Sequence, residues 1–120
     1  MPELEATTEA EINAFLGSNG GVAVVDCYAT YLFPYRRWCG PCKAIAPYVS
    51  QKTTAENVAL VKIDVDKSPA LSGLYQIEAM PTFLVIKGDA KNVIDKVVGG
   101  GQANVDKMVT KASQHKEWSK

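Results

Sequence analysis

Two cysteines separated by two residues, Cys39 and Cys42 in "WCGPCK", are the positions in this 120-residue chain whose types and spacing can do chemistry. Positions three apart on a helical turn lie about 5 to 6 Å from each other. A disulfide needs Cα atoms roughly 4.4 to 6.8 Å apart, so the spacing permits reversible closure. Pro41 sets where the helix begins, because a proline deeper inside would clash with the carbonyl four residues back. Cys39 therefore belongs at the helix N-terminus, where unpaired amides and the positive end of the macrodipole favour a thiolate. The expected division of labour is that Cys39 attacks a partner's disulfide. Cys42, one turn in and more shielded, then attacks the mixed disulfide and releases the reduced partner. The competing chemistry is half of a zinc site, which needs two further ligands. Only Cys27 and His115 remain as cysteine or histidine, and Cys27 falls in a strand-like run. Redox is the stronger reading of this spacing in an α/β context.

The elements that must position this dithiol follow from the periodicity. "TTEAEINAFLGSNGG" predicts a short helix, with Thr8 and Glu11 as a capping box, Ile12, Phe15 and Leu16 on one face, and Gly17 able to end it. "VAVVDCYA" is a short valine-rich run and predicts a buried strand, and "VALVKIDV" predicts a second. Between them, "CKAIAPYVSQKTTAE" is helix-compatible, with a bend expected at Pro47. "SPALSGLYQI" predicts a short helix capped by Ser68 with Pro69 at its first position. "TFLVIK", "GDAK" and "NVIDKVV" read as a β-hairpin. "GGGQ" breaks the chain, and "NVDKMVTKASQHKEW" closes it with a helix that buries Val105, Met108, Val109 and Ala112. This order predicts one layered α/β domain over residues 1–120, a mixed central β-sheet flanked by helices on both faces. A strand around residues 3 to 7 leaves no signal of its own.

Composition excludes several classes. Hydrophobic residues make up 47% and charged residues 22%, which suits a globular chain rather than a disordered one. The net charge of zero gives no global pull on nucleic acid or anionic lipid. No apolar run approaches the length of a membrane span. The acidic opening "MPELEATTEAE" lacks the pattern of a secretory or transit peptide, so a reducing, cytoplasmic setting is expected. Three cysteines agree with that setting better than with a disulfide framework.

The blocks "VVDCYAT", "WCGPCKAIAP", "VKIDVD", "AMPTFLVIKG" and "VVGG" resemble the thioredoxin family in order and spacing, over roughly residues 8 to 115. The resemblance implies the thioredoxin fold and reduction of protein disulfides. It implies no bound cofactor, with electrons supplied by NADPH through a thioredoxin reductase. Asp26 matches the buried acid that moves a proton to or from the resolving cysteine, and an aspartate in an apolar strand is expected to have a raised pKa by desolvation. Lys62 matches the lysine facing that acid, although alone it reads as an ordinary snorkelling strand lysine. Pro81 matches the family's cis-proline beside the dithiol. Met80, before it, is expected to pair with client peptides by strand-like hydrogen bonds. Trp38, Gly40, Pro41, Gly99 and Tyr28 match the rim and support of the same site. Cys27 reads as a buried core thiol, His115 as a solvated side chain near a helix end, and Trp118 as either a core cover or a free ring.

One segment departs from the family. There, "YAT" runs straight into "WCGPC"; here "YLFPYRR", residues 31–37, stands between them and carries the chain's only two arginines, Arg36 and Arg37. A backward extension of the helix would put Pro41 in its interior, so an inserted loop with a turn at Pro34 is expected. Three readings stay open: a tolerated loop, a client-selecting or redox-tuning element offering Tyr31, Phe33 and Tyr35, or an obstruction that displaces the site or exchanges elements between two chains. The arginines alone retune little, since a charge about 8 Å away in water-like dielectric is worth about 0.5 kcal/mol. The expected function is a monomeric disulfide reductase; the alternative is a thioredoxin-fold binding or scaffold protein with weak reductase activity. An oxidase or isomerase of the same superfamily is a third possibility, but the Gly-Pro pair between the cysteines resembles the reducing members.

Overall fold

The computed structural model describes residues 2–29, 31–32 and 37–116; the side chains of Tyr31, Leu32, Arg37 and Trp38 lie outside the described set. The chain opens with a strand, β1 (Glu3–Glu5), followed by α1 (Glu9–Ser18). The predicted capping box is present: Thr8 Oγ1 accepts from the Glu11 amide at 3.1 Å, and Glu11 Oε1 accepts from the Thr8 amide at 3.0 Å. Those bonds satisfy amides that have no partner within the helix. Gly17 does not end α1, which runs on to Ser18 with Asn19 as its C-cap. The left-handed backbone that leaves the helix falls on Gly20 and Gly21, at φ +85° and +79°, where the lack of a Cβ removes the steric cost.

β2 (Val22–Tyr28) follows, then the short strands β3 (Tyr31–Leu32) and β4 (Arg37–Trp38). The segment expected to be a plain loop therefore pairs at its ends, Tyr31 with Trp38 and Leu32 with Arg37, in an antiparallel ladder. Such pairing satisfies backbone groups that a bare loop leaves to solvent. Phe33, Pro34, Tyr35 and Arg36, with the turn and contacts expected of them, lie outside the described residues. α2 (Gly40–Ala55), β5 (Ala59–Asp64), α3 (Pro69–Leu74), β6 (Thr82–Lys87), β7 (Val93–Val98) and α4 (Gln102–His115) complete the order. Ser68 holds the N-cap position of α3 without capping it by its side chain, and its hydroxyl donates to the Ala6 carbonyl instead. Trp118 lies outside the described residues.

The five main strands form one sheet in the order β1-β5-β2-β6-β7. β1 and β2 each run parallel to β5, whereas β6 is antiparallel to β2 and β7 is antiparallel to β6. Alternation along β2 divides the core in two. Ala23, Val25 and Cys27 join Ile12 and Leu16 of α1 and Leu71 of α3 on one face. Val22 and Val24 join Ile45 and Val49 of α2 and Val105, Met108 and Val109 of α4 on the other. Helices thus cover both faces, as the near-continuous apolar run in β2 requires. Asp26 has the parity of Val22 and Val24, so it points to the face covered by α2. Each fully buried aliphatic or aromatic side chain here, Phe83 among them, contributes about 1.5–3 kcal/mol by leaving water.

Candidate active site

Cys39 occupies the N-cap of α2, and Pro41 falls within its first turn, where its missing amide hydrogen costs no helical bond. The two cysteines are joined as a disulfide with Cα atoms 5.3 Å apart. Cys39 Sγ accepts from the Cys42 amide at 3.3 Å, so the sulfur is held by one of the unpaired amides that begin a helix. The same amide, with the macrodipole behind it, favours negative charge on this sulfur once the bond is reduced. Cys39 was expected to be the more open of the pair. It is instead 1% exposed, against 4% for Cys42. The N-cap geometry aims its sulfur back over the first turn rather than outward. Gly40 and Pro41 form the exposed lip beside it.

Asp26 is 2% exposed, and its Oδ1 has no hydrogen-bond partner among the described residues. Desolvation pushes its carboxyl up to about 6, partly offset by the Lys62 ammonium and reinforced by Glu5 and Glu3. Lys62 stands opposite Asp26 in the parallel β2–β5 ladder. Its Nζ lies 5.5 Å from the centre of the Tyr28 ring, within range of a cation–π contact. A cavity of about 380 Å³ is lined by Asp26, Tyr28, Lys62, Cys42, Lys43 and Pro47. This opening brings the acid and the second cysteine to one space, with Ala46 and Pro47 of α2 as its apolar wall.

On the other side of the dithiol, the Met80–Pro81 peptide is cis. The Pro81 carbonyl accepts from the Gly99 amide at 2.9 Å, which ties this turn to the end of β7. Gly99 has φ +121°, a conformation L side chains rarely adopt. Gly100 was missed by sequence reasoning. A Cβ there would come within 3.2 Å of Pro41 Cβ and 3.5 Å of Pro81 Cγ, so this glycine lets the backbone after β7 pack close against the start of α2. The run of three glycines, of which only Gly99 was assigned to the rim of the site, was the available signal. Trp38 is placed by its backbone alone, paired with Tyr31. Cys27 is buried in the core opposite the dithiol, and burial pushes its thiol far up. His115 ends α4 and is partly covered rather than fully solvated.

The family model described as Thioredoxin matches residues 3–113. The chain belongs to the thioredoxin family. A thioredoxin of Coprinus comatus is 36% identical over 100 residues, covering 81% of this chain and 86% of that one. Thioredoxin-2 of Pyricularia oryzae is 39% identical over 88 residues, covering 72% of this chain but only 46% of its own length. Among solved structures, the reduced Schistosoma mansoni thioredoxin pre-protein superposes with a TM-score of 0.76 at 34% identity, covering 93% of this chain and 99% of that one. As a thioredoxin, the chain is a thiol-disulfide oxidoreductase of the protein-disulfide reductase class. The thioredoxin relatives include a chloroplastic form from Arabidopsis thaliana and a mitochondrial one from Saccharomyces cerevisiae. Among the described residues, no helix is long and apolar enough to cross a membrane, and no group of His, Cys, Asp and Glu is arranged to hold a metal ion.

Proposed function

We propose that residues 1–120 act as a single-domain reductant in which Cys39 is the nucleophile, Cys42 resolves, and Asp26 carries the proton that Cys42 gives up. What supports this reading most is the cavity shared by Asp26 and Cys42. In the reduced chain, the Cys39 thiolate attacks one sulfur of a client disulfide. A bond forms from Cys39 to that sulfur, and the other client sulfur leaves as a thiolate. Asp26, as carboxylate, takes the Cys42 proton, directly or through water in the cavity. The Cys42 thiolate then attacks Cys39 Sγ, closing the Cys39–Cys42 disulfide and releasing the second client sulfur. The client gains two electrons and the chain loses two. A group titrating near 6 suits both directions of this transfer at neutral pH.

Lys62 keeps the Asp26 charge tolerable in its buried place. The backbone at Met80 offers a client strand its hydrogen bonds, with Trp38, Gly40, Pro41, Pro81 and Gly99 forming the surrounding rim. The chain returns to the dithiol with electrons from NADPH through a thioredoxin reductase, and works as a monomer in a reducing compartment, the cytoplasm. Residues 31–37 are an insertion beside the site that the site tolerates: Cys39 keeps its N-cap and Asp26 keeps its cavity with Cys42 despite the segment between them.

Trapping tests the assignment. Cys42→Ser incubated with a disulfide client is expected to accumulate a client adduct on Cys39, seen by mass spectrometry. Cys39→Ser is expected to form no adduct and to lose insulin reduction. Full turnover by Cys39→Ser would overturn the nucleophile assignment.

A further inference from the structure

β1, which left no mark in the sequence, brings a carboxylate behind the acid of the dithiol. Glu5 pairs with Lys62 in the β1–β5 ladder, and Lys62 pairs with Asp26 in the β5–β2 ladder. One row across three parallel strands therefore reads acid, ammonium, acid. Residues in register on neighbouring strands share a face of the sheet, and two strand spacings separate the outer pair by roughly 10 Å. Glu5 is exposed, but its carboxylate is held: Oε2 accepts from the Tyr28 hydroxyl at 2.6 Å. Tyr28 lies two residues beyond Asp26 on β2, on the same face, with its ring 5.5 Å from the Lys62 ammonium. The tyrosine thus grips the carboxylate with its hydroxyl and the ammonium with its ring.

We propose that Glu5 is a positioning residue for Asp26: anchored by the Tyr28 hydroxyl, its carboxylate draws on Lys62 from the side opposite Asp26 and limits how far that ammonium neutralises the buried acid. The proposal rests on the reading of Asp26 as the dithiol's acid. The other ionisable groups around Asp26 are Glu3 on β1, Asp64 on β5, Cys27 and Tyr28 on β2, and Lys43 on α2 across the cavity; Cys42, beside Lys43, is held in the disulfide. β6 presents Phe83 at the paired position. Of the two β1 acids, Glu5 is the one in register with Lys62 and bonded to Tyr28.

The test follows the Asp26 carboxyl directly, by NMR titration of the oxidised chain beside Glu5→Gln, Glu3→Gln and Tyr28→Phe. Glutamine retains an oxygen to accept from Tyr28, so Glu5→Gln removes charge while leaving the anchor. A unit charge roughly 10 Å away in water-like dielectric moves a pKa by about 0.3 unit. Glu5→Gln is expected to move the Asp26 midpoint down by about that much or more, with the acid limb of client reduction moving alongside. Glu3→Gln is expected to move it by less, and Tyr28→Phe, which releases the carboxylate, to move it down by less than Glu5→Gln. A midpoint unmoved in Glu5→Gln, one moved no further than in Glu3→Gln, or one that Tyr28→Phe leaves in place overturns the proposal. Failure of the underlying reading looks different: Asp26→Asn would reduce clients at the parent rate while the Glu5 shift persisted.

Discussion

Asp26 and Lys62 face each other across the parallel β2–β5 ladder, and both line the cavity that reaches Cys42. The ammonium favours the carboxylate, yet burial outweighs it and leaves the acid titrating at about 6 instead of 3.8. The balance matters because an acid fully neutralised by its lysine would not take up a proton at neutral pH.

That balance carries a stability cost with a definite sign. Between pH 4 and pH 6 the folded chain binds more protons at Asp26 than the unfolded chain, so stability falls as pH rises through this window. Asp26→Ala is expected to stabilise the oxidised chain by about 3 kcal/mol at pH 7.5, with the gain largely gone at pH 4. Urea unfolding at the two pH values measures it. Equal gains at both would show that packing, and not ionisation, is responsible.

Removing the ammonium should push the same acid further up. Lys62→Met keeps the length of the side chain and deletes its charge, so Asp26 is expected to titrate at higher pH. The acid limb of client reduction should move up with it, in a pH–rate profile taken from pH 5 to 9.

Gly100 is expected to be as sensitive as a residue in the core. Gly100→Ala places a methyl against the Pro41 carbonyl oxygen at 3.3 Å and the Pro41 side chain at 3.2 Å. Overpacking of this kind costs about 1–3 kcal/mol. Urea melts should record the loss, and client reduction should slow because Pro41 and the start of α2 are pushed away. An unchanged melt would mean that the α2 N-terminus yields freely.

The segment 31–37 yields a fourth expectation. Its ends pair with each other, so its removal takes away a local ladder without breaking the five-stranded sheet. A chain lacking these residues should reduce insulin within about threefold of the parent, the size of a surface change. A large gain would show that the segment obstructs clients.

Much of the fold was legible because its signals are local. The capping box at Thr8 needs only two side chains three residues apart, and the buried strands announce themselves by valine runs that no helix of that length would carry. The apolar face of α4 is written at helical spacing, and its four predicted residues are all buried. β1 was not legible. "ELE" is too short and too polar to mark a strand, and only pairing with β5 makes it one. Gly17 misled because a glycine is permitted in a helix as well as after it, and the turn fell to Gly20 and Gly21.

By itself the sequence determined the dithiol: the spacing of Cys39 and Cys42, and the proline that sets the helix start beneath them, are covalent facts of one short segment. Tertiary structure alone decided what surrounds it. Asp26, Lys62 and Glu5 are far apart in the chain, and strand register sets them in one row; Gly100 matters only because Pro41 and Pro81 arrive at the same point. Local chemistry is inherited from neighbours in sequence. Desolvation, Coulomb balance and close packing depend on neighbours in space, and folding supplies those.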